Sequence, residues 1–195
     1  MAKNGVNLSS GSFLMAIKED KSSKRWQYLH NTVNTGIKTM AGFIGKERHA
    51  IDEKGRLMIP VKFRRKFGLR APSGDVEVGS GRTEALYIMK TPERSLELYE
   101  PFIWSDMGRG ISALSDFNPD ERLLKILMYE SLETVELDRQ GRVALSREFL
   151  EHAGITKDVV IIGADTKMIM WEPQRLSALL RESSGRFASL AGRYF

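Results

Sequence analysis

The segment Asp52-Glu53-Lys54-Gly55-Arg56-Leu57-Met58-Ile59-Pro60 recurs as Asp138-Arg139-Gln140-Gly141-Arg142-Val143-Ala144-Leu145-Ser146, an offset of 138 − 52 = 86 positions. The same offset carries Phe63 onto Phe149, Gly68 onto Gly154 and Leu69 onto Ile155. A repeat at domain spacing means that one supersecondary unit is built twice, which restricts the fold to arrangements of two similar copies. Farther on, a short insertion in the first copy shifts the register, and Asp75-Val76-Glu77-Val78-Gly79 resembles Asp158-Val159-Val160-Ile161-Ile162-Gly163. Leu86 to Arg94 then echoes Met168 to Arg175. Each copy reads as strand, turn, strand, short helix, strand, strand and a helix opened by proline, Pro92 in one and Pro173 in the other.

The turns explain their own residues. Gly55 and Gly141 stand where a tight connection needs positive φ, and Asp52 and Asp138 can hydrogen-bond the turn backbone a few positions on. Gly68 and Gly154 follow the amphipathic stretches Val61–Phe67 and Arg147–Ala153, where they would cap helices. Between the copies, Asn118 can cap a helix with Pro119 first and Asp120 and Glu121 in its first turn, and Leu123, Leu124, Ile126 and Leu127 follow on one face.

Composition removes several classes of function. With 42% hydrophobic residues in 195, the chain can bury a core. Cysteine is absent and His30, His49 and His152 are scattered, so neither disulfides nor a metal centre is expected. No cofactor is expected either. Apolar runs such as Val159–Ile162 are far too short for a membrane span, and Gly11–Ile17 lacks a signal-peptide core, so a cytoplasmic protein is expected. The net charge of +5 is concentrated. Lys46, Arg48, Lys54, Arg56, Lys62, Arg64, Arg65, Lys66 and Arg70 face only Glu47, Asp52 and Glu53, while Asp116 to Asp138 leans acidic. A concentrated basic face points to a polyanionic partner.

The two Asp-x-x-Gly-Arg turns, with an acidic helix before the second, resemble the MraZ family, a tandem version of the AbrB-like swapped-hairpin DNA-binding domain. The likeness runs from about Phe43 to Leu180, and its most specific pieces are Ile51–Arg64 and Val135–Val143. It implies a mainly β (α+β) fold of two tandem swapped-hairpin units forming a double-split β-barrel, with short helices and a connecting helix. The divisions expected are a tail over 1–42, disordered or upstream of the true start, a first repeat over 43–100, a helical connector over 101–129, a second repeat over 130–182 and a C-terminal tail over 183–195. Phe13, Leu14, Met15, Trp26, Tyr28 and Leu29 of the first tail could dock on the body or on a partner. The resemblance also implies a homo-oligomeric ring, nucleoid-associated, that binds short direct repeats of double-stranded DNA upstream of the division and cell-wall gene cluster and regulates transcription there, with no small-molecule substrate. The long first tail departs from the family pattern, and so does Ser146 where the first copy has Pro60.

Arg56 and Arg142 match the arginines that the resemblance places against DNA, where a guanidinium fork can grip phosphate or the O6/N7 edge of guanine. Each could equally pair with Asp52 or Asp138 and lock its turn. The two readings stand even for Arg142, whereas the basic neighbours of Arg56 point to DNA. Lys54, Lys62, Arg64, Arg65 and Lys66 would add sequence-independent phosphate attraction, or form an ordinary solvated face. Phe63 and Phe67, at i and i+4, take the apolar side of their helix and leave these charges on the other. Surfaces for assembly could come from Leu86, Tyr87, Ile88, Met89, Leu96, Leu98, Phe102 and Trp104, although core packing competes for them.

Two other functional classes compete with DNA binding. Asp52, Glu53, Glu136 and Asp138 could be imagined as catalytic carboxylates, but the sequence has no nucleophile elbow, phosphate-binding glycine loop or metal-ligand spacing, and the turns explain these residues more simply. A non-catalytic, antitoxin-like interaction module could use the same fold without reading DNA.

Overall fold

The structure is a computed structural model and describes residues 42–67 and 85–194. The expected tail up to residue 41, the Gly68 cap, Leu69, Arg70 and the Asp75–Gly79 strand lie outside the described residues.

In chain order the elements are β1 (Phe43–Ala50), β2 (Arg56–Met58), α1 (Val61–Arg64), β3 (Ala85–Lys90), β4 (Leu96–Tyr99), α2 (Pro101–Ser112), α3 (Pro119–Glu130), β5 (Leu132–Glu136), β6 (Arg142–Ala144), α4 (Arg147–Ala153), β7 (Asp158–Asp165), β8 (Lys167–Trp171), α5 (Pro173–Glu182), a 3-10 turn (Ser184–Arg186) and α6 (Phe187–Tyr194). The fold is mainly β with short helices. Six antiparallel strands run in the open order β1-β7-β8-β4-β3-β5, not a closed barrel among the described residues, and β2 and β6 form a separate two-stranded ribbon.

That order is symmetric about its centre. Exchanging β1 with β5, β7 with β3 and β8 with β4 returns the same sheet, and the registers agree. Leu96 pairs with Met170 and Leu98 with Met168, while in the ribbon Arg56 pairs with Ala144 and Met58 with Arg142. The repeat in sequence has become a local two-fold, with each copy's first strand added to the other copy's end of the sheet.

The symmetry corrects the alignment of the two copies, the match of Asp75–Gly79 to Asp158–Gly163 included. β3 pairs with β5 as β7 pairs with β1, so β3 answers β7 rather than β8, and β4 answers β8. Leu86–Arg94 is therefore not the counterpart of Met168–Arg175, and Pro92 opens no helix. It lies in the β3–β4 hairpin turn, where Thr91 and Ser95 exchange backbone and side-chain hydrogen bonds and Arg94 takes φ of 63°. The alternation of buried Leu96 and Leu98 then commits the next residues to a strand. The proline that answers Pro173 is Pro101, which follows Glu100 as Pro173 follows Glu172 and stands at the first position of α2.

One core cluster takes residues from both copies. Leu57, Ile59 and Phe63 join Val143, Leu145 and Phe149, and beneath them lie Leu86, Ile88, Leu96, Leu98, Val159, Ile161, Met168 and Met170. Of the residues considered for assembly, Leu86, Ile88, Leu96 and Leu98 are thus wholly core. On the outer face, α2 covers β3–β4 through Trp104, which stacks on Tyr87 and leans on Tyr99, and α5 covers β7–β8 through Leu176 against Val160 and Trp171. The Asn118 side chain accepts from the Asp120 and Glu121 amides to start α3, but no residue of that helix is buried.

Candidate nucleic-acid interface

The ribbon holds the two turns at its opposite ends. In the first, Asp52 Oδ1 accepts from the amides of Lys54 and Arg56, both at 2.9 Å, and Gly55 takes φ of 72°. In the second, Asp138 Oδ1 accepts from the amides of Gln140 and Arg142, again at 2.9 Å, and Gly141 takes φ of 84°. Each turn is tied to the other copy by a reciprocal backbone bond. Ile59 N–H donates to the Gly141 carbonyl at 3.0 Å and Leu145 N–H to the Gly55 carbonyl at 2.9 Å. A three-residue strand could not bury Leu57 or Val143 alone, and interleaving lets the two cover each other.

Both arginines are engaged within their turns. Arg56 meets Asp52 Oδ2 through Nε and Nη2, each at 2.8 Å, and Arg142 meets Asp138 Oδ2 through Nε at 2.8 Å and Nη2 at 2.7 Å. Arg142 Nη1 also lies 3.9 Å from Asp52 Oδ2. These side chains remain 30% and 20% exposed, so the turn lock leaves part of each guanidinium accessible. The Arg56 side chain, with the turn amides, holds the Asp52 carboxyl down to about 2, and Arg142 lowers Asp138 in the same way. A folded-state value below the ordinary carboxylate range means that the Asp52 lock contributes stability above about pH 4 and loses it as pH falls toward 2. An NMR titration of the Asp52 carboxyl is expected to show a midpoint near 2 in the native chain, moving up toward 3.8 in Arg56→Gln. An unchanged midpoint in the variant would assign the shift to the turn amides alone.

The remaining basic residues do not share one surface. Lys62 turns toward β1, where Nζ meets Glu47 Oε1 at 2.5 Å and lowers that carboxyl. Lys54 is exposed beside Arg56 in a shallow cleft with Thr156 and Lys157. Arg64 crosses to the other copy. Its Nε donates to the Ile59 carbonyl at 3.0 Å, and its guanidinium lies on Gly141, where a Cβ would stand 2.5 Å from Cζ. The first copy's helix therefore joins the second copy's turn. Arg65 is exposed and Lys66 half-buried on the same helical segment. Arg139, which the sequence reading did not select, stands exposed at the tip of that turn. Its signal in the sequence was only its place in the second Asp-x-x-Gly-Arg turn. Also unforeseen was Lys90, held between Glu130 and Glu148 at 2.8 and 2.5 Å. Burial works against its charge, but the two carboxylates outweigh this and raise its pKa.

Among the described residues, no group of three or more acidic or histidine side chains could hold a metal ion, and no helix is long and apolar enough to cross a membrane. The site offers guanidinium and ammonium donors on a rigid backbone frame, a chemistry suited to holding oxyanions.

The family model of the MraZ protein, described as antitoxin-like, matches residues 43–127 and again 128–193. The chain is 76% identical over 156 residues to a transcriptional regulator MraZ of Pelodictyon phaeoclathratiforme, a match covering 80% of this chain and 100% of the relative. It is 71% identical over 157 residues to that of Chlorobium luteolum, with the same coverage, and 56% identical over 156 residues to that of Chlorobaculum tepidum, covering 80% of this chain and 99% of the relative.

Proposed function

The chain belongs to the MraZ family, and from that premise we propose that it is a transcriptional regulator which binds double-stranded DNA through its β2–β6 ribbon. The observation that carries the reading is the meeting of Arg64 from one copy with the Gly141–Arg142 turn of the other, flanked by exposed Arg139 and Arg65. Arg64 is held by the Ile59 carbonyl and Arg142 by Asp138, so little side-chain freedom is lost at these two on binding. Backbone phosphates are the first ligands of such a surface, and the guanidinium edges that face outward can also reach base edges in a groove.

One chain presents few base contacts, so useful selectivity requires several chains on spaced repeats. Apolar side chains left exposed on α3 (Leu123, Ile126, Leu127) and on α6 (Phe187, Tyr194) support assembly into a ring, because faces of this kind are covered when copies join. The target would be direct repeats before the division and cell-wall gene cluster, and the working place the cytoplasm, on the nucleoid. Catalysis has no support in the geometry, since the turn carboxylates are occupied by their own arginines and amides.

Fluorescence anisotropy of the purified full chain with a duplex from upstream of its own gene, against a scrambled duplex of equal length, tests the reading. A preference on the order of 10³-fold or more for the native sequence is expected at physiological salt. Equal and weak binding to both duplexes by a folded oligomer would replace it with the antitoxin-like interaction module.

A further inference from the structure

We propose that the two ends of the ribbon are functionally unequal, and that Leu150 and Glu151, standing where the first copy has Arg64 and Arg65, keep one of them off DNA so that each chain binds a duplex in a single direction. This rests on the DNA-binding reading above and concerns what sets the polarity of that contact.

The backbone alone would make the ends equivalent. The ribbon registers are symmetric, the Ile59–Gly141 and Leu145–Gly55 bonds are reciprocal, and each short helix lays a side chain on the opposite copy's turn glycine. At the repeat offset of 86, Arg64 corresponds to Leu150, Lys62 to Glu148 and Arg65 to Glu151. Arg64 covers Gly141, and Leu150 covers Gly55, its Cδ1 4.0 Å from where a Cβ would stand. The same frame therefore carries opposite chemistry at its two ends.

One end gathers Arg64, followed by Arg65 and Lys66 in the first copy, with Arg139 and Arg142 of the second, where Asp138 pairs with Arg142 at 2.7 Å and Asp52 lies farther off at 3.9 Å. The other gathers Lys54 and Arg56 of the first copy, among Asp52 and Glu53, with Lys157 of the second, and there Leu150 of α4 takes the place that Arg64 holds at the first end. Glu151 pairs with Arg147 at 2.7 Å, so this pair adds no net positive charge to α4, whereas its counterpart Arg65 is a cation. Carboxylates facing a phosphate backbone repel it, and like charges across an interface suppress wrong docking modes. A unit with equal ends reads a site and its inverse alike, whereas unequal ends give the site a direction, and chains following one another then suit repeats in the same orientation.

The symmetric frame also supplies the test. Leu150→Arg with Glu151→Arg writes the first copy's residues into the second, and the Leu145 carbonyl is placed to accept from the new guanidinium as the Ile59 carbonyl does from Arg64. Binding of the full chain to a random-sequence duplex is measured across a salt series. The variant is expected to steepen the log-log salt dependence by about 1–2 units, at roughly 0.9 per phosphate newly neutralised. Glu151 is exposed, so Glu151→Arg alone retains the fold if the double variant does not, and about 1 unit is then expected. A folded variant with the native slope overturns the inference while leaving DNA binding intact. A native chain with no salt-dependent duplex affinity overturns the DNA-binding reading itself.

Discussion

Phe63→Ala is expected to lower the unfolding free energy by about 3–5 kcal/mol, as truncation of a fully buried aromatic ring does. Phe63 is 1% exposed and packs edge-on against Phe43, which meets Phe67 in the same way. Helix α1 has four residues, too few to persist on backbone hydrogen bonds alone, so Phe63 is what seats it. The loss should therefore extend beyond the core to Arg64, one residue on. Urea denaturation at fixed protein concentration measures the effect, the fixed concentration being needed because assembly contributes to apparent stability. A change below about 1 kcal/mol would mean that α1 is held by other contacts.

Arg64→Ala is expected to weaken duplex binding about 10- to 100-fold while leaving the thermal midpoint within a few degrees of native, on the scale of one charge-assisted contact. The side chain is half-buried and makes one hydrogen bond, to the Ile59 carbonyl, among the described residues, so little stability rests on it. Arg64→Lys should recover only part of the affinity, because an ammonium cannot reproduce a guanidinium that holds the Ile59 carbonyl with Nε and presents its other nitrogens outward. Native affinity in the alanine variant would remove the composite end from the interface.

The two-copy architecture was legible because its turns need particular residues. An Asp-x-x-Gly pattern closes each connection through the aspartate's bonds to the turn amides, and it occurs twice. Helix starts at Pro119 and Pro173 were legible for the same reason, each following a residue whose side chain caps the first amides, Asn118 and Glu172. The β3–β4 hairpin was misread because Leu86–Arg94 resembles β8 and its following helix locally, while the pairing that decides the matter involves β5, more than forty residues away. Local likeness carries no information about which partner a strand will find.

The candidate site shows the same division. That Arg56 and Arg142 belong to turns was visible, but which helix joins which turn was not, because it depends on the exchange of elements between copies. Sequence neighbourhood placed Arg56 among the basic residues of α1. In three dimensions Arg64 of that helix lies instead on the turn of Arg142, and the turn of Arg56 meets Leu150 of α4. The reading of Arg142 as evenly poised between turn lock and DNA contact thus acquires a physical context that charge counting along the chain could not provide.

Hydrogen–deuterium exchange of the full chain, free and bound to a duplex from upstream of its own gene, tests the central claim most directly because it locates the contact. Protection is predicted in the peptides containing Lys62–Lys66 and Arg139–Arg142, with Glu148–Glu151 unchanged. Protection confined to the helices α3 and α6, or equal protection of both ribbon ends, would contradict it.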